Sequence, residues 1–123
     1  MLAIDHEKQV VFGCLRSGFR ADASPRILRG HLSRCLRANG FEFFEEVPLA
    51  YNAGRVDFLS RHGYALLVFQ RESINEAFLR VRAVALDDRV QHVLVITTSV
   101  THRNLPGGLC RKPIDVIWLG GLS

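Results

Sequence analysis

From Phe41 to Glu72 the chain alternates apolar and polar side chains with a period of two. Val47, Leu49 and Tyr51 begin the pattern, and after Asn52-Ala53-Gly54 the residues Val56 and Phe58 alternate with Arg55, Asp57 and Leu59. Successive side chains of a strand point to opposite faces, so this spacing predicts two strands. Beyond Ser60-Arg61-His62-Gly63 comes an almost unbroken apolar run, Tyr64 to Phe69. A strand with no polar face belongs in the centre of a sheet covered on both sides, and Gly63 supplies the positive φ of the tight turn leading to it.

Around this stretch the period lengthens to that of a helix. His6 to Arg20 carries Val10, Val11, Cys14, Leu15 and Phe19 at helical spacing, with Asp5 placed to cap it and Gly18 near its end. Ser24-Pro25 opens a second helix, Pro25 to Ala38, in the preferred order of capping hydroxyl and then proline. Ile27, Leu28, His31, Leu32, Cys35 and Leu36 share one face, while Arg26, Arg29, Arg34 and Arg37 fall within an arc of about 140° on the other. Asn39-Gly40 closes it.

A capping box, Ser73-Ile74-Asn75-Glu76, starts a third helix with Ile74, Ala77, Phe78, Val81, Val84 and Ala85 as its buried stripe, ending near Asp87-Asp88. The β-branched run Val90 to Thr98 predicts a fourth strand, and Pro113 to Leu119 a fifth, after a loop marked by Pro106-Gly107-Gly108. A strand, a helix and a strand in succession make a right-handed crossover, which sets the third and fourth strands parallel. These elements predict a single α/β (α+β) domain over residues 1–123, with a core at about 24–99. Its sheet is mixed, of four to five strands, with helices flanking it.

Composition adds a tilt toward anionic partners. Sixteen Lys and Arg against twelve Asp and Glu give a formal charge of +4, and Lys8 and Lys112 are the only lysines. Guanidinium groups grip phosphate bidentately, so an arginine excess of this kind fits phosphate-bearing ligands. Cys14, Cys35 and Cys110 have neither the number nor the spacing of a disulfide framework or zinc site, which points to a reducing cytoplasm. There is no leader-like apolar stretch and no run of ~18 apolar residues, so no membrane role is expected. The five histidines lack metal-ligand spacing, and no P-loop, dinucleotide fingerprint or nucleophile elbow is present.

The αβββαβ order and the spacing of polar residues from Ser24 to Ser99 resemble the PD-(D/E)XK, or restriction-endonuclease-like, nuclease superfamily. Gly54-Arg55-Val56-Asp57 matches that superfamily's Gly-x-x-Asp strand, and Val68-Phe69-Gln70-Arg71-Glu72 stands where its Glu-x-Lys element belongs. The resemblance implies a site in which two carboxylates on adjacent strands hold Mg²⁺ and a lysine orients the attacking water. Asp57 matches the first ligand. Val68 replaces the second carboxylate and Gln70 the lysine, so the motif is eroded and no cofactor is expected.

Three readings follow. The first is a pseudo-nuclease that binds nucleic acid, DNA ahead of RNA, through Arg26, Arg29, Arg34 and Arg37 or through Arg55, Arg71 and Arg80. The second is a Mg²⁺-dependent endonuclease with a migrated site built on Glu46, Asp57, Gln70 and Glu72. The third is a protein-interaction or regulatory module, such as one from a mobile element, with the fold as scaffold. The sequence leaves oligomeric state open.

Overall fold

The computed structural model describes residues 3–16, 24–49, 54–70, 72–99, 102 and 112–119. Three helices and five strands follow in the order α1 (Ala3–Leu15), α2 (Pro25–Ala38), β1 (Phe43–Pro48), β2 (Arg55–Ser60), β3 (Tyr64–Phe69), α3 (Ile74–Ala85), β4 (His92–Thr97) and β5 (Ile114–Trp118). The strands form one mixed sheet in sequence order, antiparallel through β1-β2-β3 and parallel through β3-β4-β5. The fold class read from the sequence is therefore the observed one, and the chain builds the upper end of the expected strand count. Among the described residues no helix is long and apolar enough to cross a membrane.

The sheet has two covered faces. On one, Val11, Cys14 and Leu15 of α1 and Leu28, Leu32 and Leu36 of α2 pack over Phe58, Leu66, Val68, Leu94 and Ile96. On the other, Ala77, Val81, Val84 and Ala85 of α3 pack over Val56, Ala65, Leu67, Phe69, Val93 and Val95. Every residue of β3 and β4 is buried, as two covered faces require. Each large aliphatic side chain so enclosed contributes about 1.5–3 kcal/mol relative to exposure.

Local chemistry sets the element ends. The Ser24 hydroxyl accepts from Ile27 N–H and the Ser73 hydroxyl from Glu76 N–H, so both predicted N-caps form. At the end of α2 only Gly40 takes the left-handed conformation, at φ 72°, while the Asn39 side-chain amide turns back to the Cys35 carbonyl. Gly63 is held more tightly: at φ 89° an added Cβ would stand 2.8 Å from the Arg89 carbonyl oxygen. Its own carbonyl accepts from Gln91 and His92 N–H, which ties the β2-β3 turn to the start of β4.

Several boundaries differ from the sequence reading, β4 starting at His92 and not Val90 among them. Helix α1 starts at Ala3, leaving Asp5 inside the first turn, where the helix dipole favours an acid without any capping role. It also ends at Leu15, with Gly18 and Phe19 outside the described residues. Helix α3 stops at Ala85, two residues before the predicted Asp87-Asp88 end. Strand β1 spans Phe43–Pro48, earlier than the alternation through Val47, Leu49 and Tyr51 suggests. Pairing with β2 from Ser60 back to Arg55 fixes that register, and Phe43 packs between Phe41 and Phe58. Tyr51 and the Pro106-Gly107-Gly108 loop lie outside the described residues.

Candidate functional site

Strands β2 and β3 pair at only two positions, Phe58 with Leu66 and Leu59 with Ala65, and then part. Where the next rung would fall, Val68 N–H donates to the Asp57 carboxylate at 2.8 Å. The sequence predicts Val56 and Phe58 on one face, but they pack into opposite cores. The alternation therefore breaks at Asp57, whose side chain occupies the fork between the strands. Strand β1 is irregular at the same level. Its ladder to β2 passes over Glu46, which stands at φ 51°, a backbone conformation that costs a non-glycine residue roughly 1–2 kcal/mol.

A carboxylate only 7% exposed needs compensation. It comes from both covered faces. Arg80 of α3 donates through Nη2 at 3.3 Å to Asp57 and at 3.2 Å to the Arg55 carbonyl, and its guanidinium lies over the Phe69 ring at 5.2 Å. From α2, Arg29 approaches Asp57 to 3.8 Å. Arg55 closes the rim, 3.9 Å from Glu46. Arg29, Glu46, Gly54, Arg55, Asp57 and Arg80 surround a recess of about 280 Å³. A groove of about 360 Å³ shares Arg29, Glu46 and Asp57 with it and continues along Arg34 and Ser33 of α2.

The predicted site residues divide around this fork. Arg26 and Arg34 are exposed on α2 as expected, whereas Arg37 is engaged with Glu45 at 3.2 Å and with the Phe43 ring. Arg29 does not point away from the core. At 100° per residue it sits about 20° from Leu36, at the rim of the buried arc, and so reaches inward. By the same measure Arg80 lies about 40° from Val84 on α3, and its rim position was the available signal for its role as a partner of Asp57. Ile27, counted with the apolar face, falls beside Arg34 on the wheel and is 61% exposed.

Glu72 stands apart from the recess. Its carboxylate folds back to accept from Gln70 N–H at 2.8 Å, and its carbonyl accepts from His102 Nε2 at 2.7 Å. The buried His102 also meets the Thr97 hydroxyl through Nδ1 at 2.6 Å, so this imidazole is a strut between the β4 end and the turn before α3. Gln70 is half-buried at the same turn, and Arg71 lies outside the described residues. Glu46 and Asp57 thus share a recess without Glu72.

This donor set does not fit the Mg²⁺ that the resemblance implies. Asp57 is committed to two guanidiniums and an N–H, Val68 offers no oxygen and is buried under α2, and among the described residues no three His, Cys, Asp or Glu side chains converge. A dication that holds most of its waters requires several converging oxygens. Guanidinium groups stand beside Asp57 where such a cation would have to sit.

The opposite end of β2-β3 carries a second polar cluster. The Ser60 hydroxyl donates to Glu7 at 2.7 Å and accepts from Tyr64 N–H at 2.9 Å. Burial pushes the Glu7 carboxyl above its ordinary range, against the opposing pull of Ser60, His62 and His6. Burial, with Asp115 and Glu7 nearby, likewise raises Tyr64, whose hydroxyl is enclosed without a hydrogen-bond partner among the described residues. His92 pairs with Asp115 at 2.7 Å, beside Lys8.

Comparison with family models, with curated proteins and with solved structures finds no match. The functional reading therefore rests on the geometry above.

Proposed function

We infer that this domain is a restriction-endonuclease-like fold that binds nucleic acid, DNA ahead of RNA, without cutting it. The observation that carries this reading is the continuity of the α2 ridge with the fork. Arg26 and Arg34 are exposed along α2, Arg34 and Arg29 line the groove, and the groove opens into a recess bordered by Arg55 and Arg80. Such a track suits a polyanion better than a small acidic ligand, because it presents guanidiniums in succession. The exchange of an acid pair for Val68 and an arginine-clamped Asp57 supports binding over cleavage.

The test is fluorescence anisotropy with duplex and single-stranded DNA and RNA, run with Mg²⁺ or Mn²⁺ and with chelator. Arg26→Glu with Arg34→Glu removes two exposed cations while sparing the core. If each meets one phosphate, the slope of log affinity against log salt flattens by about two units, alike for every sequence. Intact oligonucleotides in every lane are expected. An unchanged slope in the folded double variant refutes the ridge, and metal-dependent cleavage refutes the binding-only reading.

A further inference from the structure

Three guanidiniums border the recess of the fork, and they keep most of their donors. Among the described residues Arg80 finds acceptors only for Nη2, although Asp57, the Arg55 carbonyl and the Phe69 ring together fix its plane. The guanidiniums of Arg29 and Arg55 donate no hydrogen bond to any described residue: their nearest carboxylates stand at 3.8 and 3.9 Å. Those donors face solvent, since the side chain of Arg29 is 36% and that of Arg55 64% exposed. Against three cations the recess sets two carboxylates, and only Asp57 is buried. Glu46, 67% exposed and lifted out of the ladder at φ 51°, stands at the rim.

We propose that the fork is an oxyanion site whose ligand is a phosphate group, with Arg29, Arg55 and Arg80 as donors and Asp57 as the residue that positions Arg29 and Arg80. It rests on the nucleic-acid reading for the carrier of the phosphate, not for the phosphate itself. A tetrahedral oxyanion offers acceptors in several directions. It therefore suits forks arriving from α2, from α3 and from the rim of β2, where a planar carboxylate would satisfy one or two. The anchored Arg80 gives the site a pre-set element, so little side-chain freedom is lost when an anion arrives. Asp57 carries negative charge beside the anion, yet it holds two cations from opposite faces at one point.

Inorganic phosphate is the first probe, followed by NMR of the arginine Nε–H signals in the full chain. Shifts of Arg29, Arg55 and Arg80 at phosphate levels that leave Arg26 and Arg34 unmoved are expected. Oligonucleotides with and without a 5′-phosphate form the second arm. A preference of tenfold or more for the phosphorylated strand places a terminal phosphate in the fork, and equal affinity places an internal diester there.

Arg55→Ala should weaken both ligands about tenfold. Glu46→Gln should tighten them, while Glu42→Gln, equally exposed but paired with Arg61 outside the recess, should not. Asp57→Asn makes the recess more positive, so simple charge predicts tighter binding and positioning predicts weaker binding, measured below the melting temperature of the variant.

Silent fork arginines, with Arg55→Ala binding oligonucleotide as the parent does, overturn the site and leave the ridge standing. Phosphate shifts without any oligonucleotide binding overturn the nucleic-acid carrier alone. Tighter phosphate binding by Asp57→Asn overturns the positioning role.

Discussion

Asp57 and Glu7 lie almost equally deep, at 7% and 6% exposure, at opposite ends of the β2-β3 pair. Asp57 meets two guanidiniums and a backbone N–H. Glu7 meets the Ser60 hydroxyl, and burial pushes its proton affinity up. Both are shielded from water; what differs is the supply of guanidinium groups. Near Asp57 the sheet is split and arginines enter from both faces, whereas near Glu7 the turn through Gly63 closes it. A buried acid that draws in cations leaves a polar recess behind, and one that does not is absorbed into the core.

The sharpest way to break the comparison is Asp57→Asn. Loss of the anion leaves Arg29 and Arg80 facing one another and weakens the acceptor of Val68 N–H. Fully buried pairs broken in this way lose about 3–5 kcal/mol. Both arginines keep some hydration, so we expect about 2 kcal/mol, read as a lower urea midpoint at pH 7.

Glu7→Gln should act in the opposite direction and by less. A carboxyl whose folded pKa is raised favours the fold fully below its ordinary value of 4.5 and loses that contribution as pH rises through the folded value. The amide still accepts from Ser60 and has no charge to bury. At pH 7 the variant should gain about 1 kcal/mol, the usual scale of one substitution. Urea midpoints at pH 4 and pH 7 check this: the parent should lose ground to the variant between them, and parallel curves would refute it.

Asp87 supplies the mildest contrast. Hydrogen bonds from Arg89, at 2.8–2.9 Å, hold its carboxyl down at about 2. A lowered pKa stabilises above the ordinary value of 3.8 and is lost as pH falls toward 2. Arg89 is half exposed, so solvent screening keeps the contribution under about 1 kcal/mol. Asp87→Asn should therefore lower the urea midpoint slightly at pH 7 and flatten the acid limb of the stability curve, parent and variant converging as pH falls from 4 to 2.

Much of the architecture was legible because several local rules agreed. Ser24, Ser73 and Gly63 fix ends and turns by side-chain and backbone chemistry, and the apolar run of β3 admits one place in a covered sheet. The fork was not legible, because its defining event is a failure of periodicity. Val56 and Phe58 look like neighbours on one face until Asp57 takes an N–H that a strand would have taken. The resemblance of Gly54-Arg55-Val56-Asp57 to a Gly-x-x-Asp strand brought Asp57 forward but could not show that Arg29 and Arg80 meet it from opposite helices. Nor could it show that Glu72 spends its carboxylate on its own turn.

The order of the strands also divides the entropy of chain closure unequally. Strand β3 reaches its antiparallel partner β2 across the three residues 61–63, but its parallel partner β4 only across the segment 70–91. Closure of the longer loop carries an additional cost on the order of 2 kcal/mol, since that cost grows with the logarithm of loop length. Helix α3 takes up twelve residues of the segment, and as a rod of about 18 Å laid back along the sheet it leaves only short connections to be closed. The helix that carries Arg80 to the fork is thus also the spacer that makes the parallel half of the sheet affordable.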